Sequence, residues 1–120
     1  MTMNKPPLPS RGEVWLVDFD PKAGAEIWKR RPAIVMSEGW VGKLPLKIVV
    51  PVTDWKNSYS SYPWFVHLAP TTVNGLSKES GADTFQLKSL SLDRFNHKLG
   101  TLKTMDLNMI VQCITLCIGG

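Results

Sequence analysis

Hydrophobic positions along the chain fall in short runs separated by Gly, Pro and polar clusters, and the pattern predicts strands over most of its length. Glu13–Phe19, rich in Val, Trp and Phe, is the first strand. A loop opens at Asp20-Pro21 and runs to Arg31. Ala33–Ser37 and Lys47–Val52 are the next strands, joined through Gly39, Gly42 and Pro45. Tyr62-Pro63-Trp64 leads into a strand ending at Leu68, and Pro70–Ser80 is a polar turn region carrying Asn74-Gly75. Ala82–Gln86 and Lys98–Leu102 are short strands. The period then changes. Leu107, Ile110, Val111, Ile114 and Cys117 or Ile118 form the stripe of a helix from Met105 to about Ile118, capped by Thr104, with Asp106 in its first turn and Gly119 as its stop. The fold class expected is mostly β with a C-terminal helix, arranged as a small antiparallel barrel. The sequence shows no internal repeat, heptad pattern or Gly-rich phosphate loop.

With 120 residues the chain predicts one domain, 11–120, behind a Pro-rich arm at 1–10 that has nothing to bury. A hydrophobic content of 43% with 20% charged residues excludes a disordered chain, a fibre and a disulfide scaffold. The longest apolar runs, Ile48–Val52 and Cys113–Ile118 (broken by Thr115), fall far short of the ~18 residues a membrane span needs. Met1–Ser10 has no export-type apolar core, so a cytoplasmic protein without membrane contact is expected. In that compartment Cys113 and Cys117, four apart on one helix face, read as free thiols. His67 and His97 lack the spacing to complete a metal site with them, and no cofactor is expected.

Fourteen Lys and Arg against ten Asp and Glu leave a net charge of +4, which suits a polyanionic partner. Of five tryptophans, Trp28, Trp40 and Trp55 fall in loops or loop edges. Loop aromatics beside basic residues can stack on unpaired bases, or can close over the ends of a core. The densest chemistry is Gly24-Ala25-Glu26-Ile27-Trp28-Lys29-Arg30-Arg31-Pro32, a carboxylate among three cations and one aromatic; a solvated charged loop is the competing reading. If Ala33–Ser37 and Lys47–Val52 form an antiparallel pair turning at Gly42, residue 37 faces 47 and Arg31 falls opposite Thr53. A guanidinium and a hydroxyl at one sheet edge would form a phosphate pocket. A slip of one residue would separate them to opposite faces. His67 and His97 have the right chemistry for an acid/base pair, but their strand and turn settings favour surface or core roles.

Several of these segments, taken in order, resemble the MazF/PemK family of endoribonuclease toxins. They are Arg11-Gly12-Glu13-Val14-Trp15, Gly24-Ala25-Glu26, Arg31-Pro32-Ala33-Ile34-Val35, Pro51-Val52-Thr53, Gly75–Ser80 and Phe85–Leu90. The resemblance implies an SH3-like barrel, a homodimer, metal-independent cleavage of single-stranded RNA, and a cognate antitoxin with an acidic, disordered segment. By position it assigns Glu26, Arg31 and Thr53 to the catalytic site. Trp28, Lys29, Arg30, Lys56 and Gln86 complete the expected RNA-binding set. Two residues depart from many family members: Ile27 stands where a glutamine follows the loop glutamate, and Asp54 where a serine follows the threonine. Both bear on substrate preference.

The chemistry is coherent by itself. Cleavage of RNA without metal needs a base for the 2′-OH, an acid for the 5′-oxygen, and positive charge at the crowded phosphorus. Glu26 is the base, Arg31 the phosphorane-stabilising cation and possible source of the leaving-group proton, and Thr53 a donor to a non-bridging oxygen. A non-enzymatic barrel toxin that binds a protein such as a topoisomerase, and an SH3-like peptide adaptor, are the alternatives. Neither has a use for Glu26, Arg31 and Thr53 together.

Overall fold

The structure, a computed structural model, describes residues 8–19, 30–41 and 44–120. Glu26, Trp28 and Lys29 lie outside the described residues, as does Gly42 at the expected turn centre. Seven strands are described: β1 (Glu13–Asp18), β2 (Arg30–Val35), β3 (Leu46–Asp54), β4 (Phe65–Leu68), β5 (Ser80–Asp83), β6 (Lys88–Ser91) and β7 (Phe95–Thr101). One helix, α1 (Thr104–Ile118), follows. Every strand pairing is antiparallel, in the order β4-β5-β3-β2-β1-β7, with β6 also on β3. None of the helices among the described residues is long and apolar enough to cross a membrane.

Strand β3 organises the sheet because it changes neighbours along its nine residues. Leu46–Val49 pairs with β6, Val49–Pro51 with β2, and Val52–Asp54 with β5. Its Val-rich sequence suits a strand covered on both sides. Ile34, Val50 and Val52 pack with Val14, Leu68 and Ile110 beneath α1. Ala33, Val35 and Val49 pack with Trp15, Val17 and Leu90 on the opposite side. Each fully buried aliphatic side chain contributes about 1.5–3 kcal/mol, so these two clusters hold the central strands. The β2–β3 register is Ala33↔Pro51, Ile34↔Val50 and Val35↔Val49, the register expected from a turn at residue 42.

Other details differ from expectation. Arg30 and Arg31 belong to β2, since Asp18↔Arg30 and Val17↔Arg31 extend its pairing with β1. The strand expected over Ala82–Gln86 is Ser80–Asp83 followed by a 3-10 turn at Thr84–Gln86. The one entered through Trp64 begins at Phe65. Strand β7 starts earlier, at Phe95, so His97 sits within a strand. Thr104 is the first helical residue and Lys103 the N-cap, without a side-chain bond to the helix. Gly119, at φ +76°, ends the helix in the left-handed region that glycine enters freely.

Candidate active site

Beyond Ala33↔Pro51 the β2–β3 register leads two rows on to Arg31 and Thr53. Pro32 confines the Arg31 backbone to extended geometry, which directs its side chain from a defined place. Arg31 Nη1 donates to Thr53 Oγ1 at 3.1 Å, and both residues are half-buried. A hydroxyl that accepts this bond keeps its own hydrogen for another acceptor, while the guanidinium retains four of its five N–H donors.

These two side chains stand in an open cleft of about 530 Å³ whose polar lining includes Arg30, Asp54, Ser77 and Lys78. Its far lip is built by a turn before β5. Buried Asn74 accepts the N–H groups of Thr71 and Leu76 through Oδ1 and donates through Nδ2 to the Ala69 carbonyl. Gly75 follows at φ +71°, where a β-carbon would collide with the Leu99 carbonyl. The Asn74-Gly75 turn thus presents Ser77 and Lys78 to the cleft.

The charges at the rim are paired. Lys78 Nζ lies 3.0 Å from Asp54 Oδ1, so this carboxylate has a cation beside it. Arg30 Nε donates to Asp18 Oδ1 at 2.8 Å. Exposed pairs of this kind are worth at most about 1 kcal/mol, and an incoming phosphate can displace either carboxylate. At the base of β1, burial pushes the Glu13 carboxyl up, but the Trp15 indole, the Ser10 N–H and Lys98 together hold it below its usual range. Burial, with Cys117 adding, pushes the Cys113 thiol up.

Of the residues expected at the site, Arg30, Arg31 and Thr53 meet in the cleft. Lys56 and Gln86 do not line it: Lys56 is exposed at the start of the Asn57–Ser61 turn, and Gln86 is exposed at the end of the turn after β5. Lys78 and Ser77 are the additions, and the signal for them was the Asn74-Gly75 dipeptide that sets their position. His67 is an exposed mid-strand residue of β4, 2.8 Å from Glu79, and His97 is exposed on β7 with Nδ1 2.8 Å from Asn96 Oδ1. Among the described residues no group of three or more His, Cys, Asp or Glu side chains is placed to hold a metal ion.

Residues 10–118 match the family model of the PemK-like, MazF-like toxins of type II toxin-antitoxin systems. The chain is 32% identical over 112 residues to endoribonuclease MazF9 of Mycobacterium tuberculosis, covering 88% of this chain and 92% of that protein. It is also 32% identical over 114 residues to endoribonuclease toxin MazF of Escherichia coli, covering 93% and 96%. Among solved structures it is similar to a MazE–MazF complex from Deinococcus radiodurans, with a TM-score of 0.76 at 26% identity, covering 95% of this chain and 98% of that one.

Proposed function

The chain belongs to the PemK-like, MazF-like toxins of type II toxin-antitoxin systems, and on that premise we propose that it is a metal-independent endoribonuclease acting on single-stranded RNA. The observation that carries this reading is the Arg31–Thr53 contact inside the cleft. The scissile phosphate sits against this pair. Thr53 Oγ, accepting from Arg31, donates its hydrogen to a non-bridging oxygen, and the remaining guanidinium donors meet the charge that grows as the 2′-oxygen attacks phosphorus. Positive charge at the reacting centre comes from the side chain itself. Glu26, assigned from its motif, removes the 2′-OH proton; as the 2′-O–P bond forms and the P–O5′ bond breaks, Arg31 gives a proton to the departing 5′-oxygen and regains one from water. The products are a 2′,3′-cyclic phosphate and a 5′-hydroxyl.

Single strands are preferred because base edges are poorly accessible in an A-form duplex. Arg30 and Lys78 at the rim supply contacts to the rest of the strand, and Lys29, Lys56, Trp28 and Gln86, assigned from the sequence, add to them. The working unit is a homodimer. The exposed side chains of Trp40, Leu44, Leu46 and Ile48 offer the kind of apolar surface an interface covers. A cognate antitoxin neutralises it through an acidic segment that folds on the basic surface.

The test is a brief incubation of purified protein with RNA in excess chelator, with sequencing and chemical analysis of the new ends. Cuts leaving 5′-hydroxyl and 2′,3′-cyclic phosphate ends are expected. Complete loss of cleavage in chelator, restored by magnesium, would overturn the mechanism.

A further inference from the structure

The small sheet formed by the end of β3 with β5 and β4 has one face in the core and one in solvent. Val52, Ala82, Val66 and Leu68 point inward with Ile110 of α1. Their alternates therefore share the outer face. Thr53 pairs with Gly81, and Gly81 with His67, so the three occupy one row across three strands. Two strand spacings, about 10 Å, separate Thr53 from His67.

Gly81 leaves a gap in that row, and aromatic rings fill it: a β-carbon at Gly81 would lie 3.1 Å from both Trp55 and Phe65. Trp55 stacks on the His67 imidazole at 4.3 Å with an interplanar angle of 25°. Tyr59 and Phe65 support the indole edge-on, at 5.7 and 6.5 Å. Glu79 secures the arrangement twice, by its Oε1 2.8 Å from His67 Nε2 and by its backbone carbonyl accepting the Trp55 backbone N–H at 3.1 Å. His67 and Glu79 nonetheless keep about half their surface in solvent, at 47% and 52%. The result is a braced, flat ring surface in the same row as the phosphate-site hydroxyl.

We propose that Trp55 and His67 form a stacking subsite for one base of single-stranded RNA next to the bond that is cut, with Glu79 reading that base's edge. This rests on the ribonuclease reading above. Base stacking on a held aromatic surface is the usual way proteins grip unpaired nucleotides. Lys56 beside Trp55, and Lys78 beside Glu79, supply cations for the flanking phosphates. The Glu79 carboxylate, half exposed beside His67, accepts hydrogen bonds from an exocyclic amine. The subsite therefore favours a base carrying such an amine over uracil.

The test uses short single-stranded RNAs carrying the mapped cut site, with an abasic nucleotide placed in turn at each of the two positions on either side. In the unaltered protein one position should raise KM about tenfold when its base is removed. In His67→Ala that penalty should fall below about twofold at the same position only, and cytosine should no longer be preferred to uracil there. Glu79→Gln, which keeps an acceptor for His67, should retain the stacking penalty. A single-stranded DNA of the same sequence, which cannot be cut, gives an independent readout: its affinity should fall about tenfold in both His67→Ala and Trp55→Leu. Unchanged abasic penalties in His67→Ala would overturn the subsite and leave the ribonuclease reading standing. Absence of RNA cleavage together with the tenfold DNA loss would retain the subsite and overturn the ribonuclease reading. Loss of affinity for an acidic peptide, with oligonucleotide binding unchanged, would assign the face to a protein partner and overturn the proposal.

Discussion

Strands β2 and β3 carry two regions, a few residues apart, that obey opposite rules. At Ile34↔Val50 and Val35↔Val49 all four side chains are fully buried, and apolar packing on both faces of the sheet decides which residue sits where. At Arg31 and Thr53 the same two strands are polar and half exposed, and the pair makes one hydrogen bond of 3.1 Å. The second region cannot set its own geometry. One such bond is worth about 1.5–3 kcal/mol when a partner is charged, whereas shifting the register by one residue would turn every valine of the first region to the wrong face. The chemistry is positioned by the packing beside it.

Breaking the apolar region should therefore have the largest effect. Ile34→Ala, at a fully buried position, is expected to cost about 2–5 kcal/mol in denaturant unfolding, with cleavage lost in proportion to the unfolded fraction. Breaking the polar region should do the reverse. Thr53→Val keeps the shape of the side chain but removes the acceptor for Arg31 and the donor to phosphate. It should lower kcat by about 10² while the unfolding midpoint moves little. A Thr53→Val protein as unstable as Ile34→Ala would abolish the distinction between the two regions.

A smaller effect is expected at Glu13, on the strand beyond β2. Its carboxyl is held below the ordinary value of 4.5 in the folded protein. It therefore contributes stability that is present above that value and lost as pH falls through the lowered one. Glu13→Gln should flatten this acid limb in thermal melts below about pH 4.5, without changing the cleavage products. An unchanged limb would place the acid sensitivity elsewhere.

The contrast between the two regions also explains what the sequence could disclose. The register was legible because Ala33–Ser37 and Lys47–Val52 lie nearly symmetrically about residue 42 in the sequence, and both carry β-branched residues. The same symmetry carries Arg31 to Thr53. Strand β6 was not legible: Lys-Ser-Leu-Ser has one strongly apolar residue, Leu90, and pairs only because the first half of β3 offers it an edge. Arg30 and Arg31 read as loop residues because their strand pairing depends on β1, twelve or more residues away. The Lys78–Asp54 pair and the Trp55–His67–Glu79 group join residues from separate strands and turns, and no local pattern announces such meetings. Trp40, by contrast, stands 81% exposed, as its loop setting implied.

The central claim is that register gives the reacting phosphate to Arg31 and not to its neighbour. Arg31 bonds Thr53 inside the cleft, whereas Arg30 is 59% exposed and pairs with Asp18 at the rim. Single-turnover cleavage and RNA binding of Arg31→Ala and Arg30→Ala, measured across a range of salt concentrations, separate the two most directly. Arg31→Ala should lower kcat by about 10²–10³ with RNA affinity little changed, and Arg31→Lys should recover little of it, because an ammonium gathers its three donors on one nitrogen and lacks the planar fork that reaches Thr53 and two phosphate oxygens together. Arg30→Ala should weaken binding across sequences and reduce the salt dependence by about one counterion. Turnover abolished by Arg30→Ala and preserved in Arg31→Ala would contradict both the site and the register that builds it.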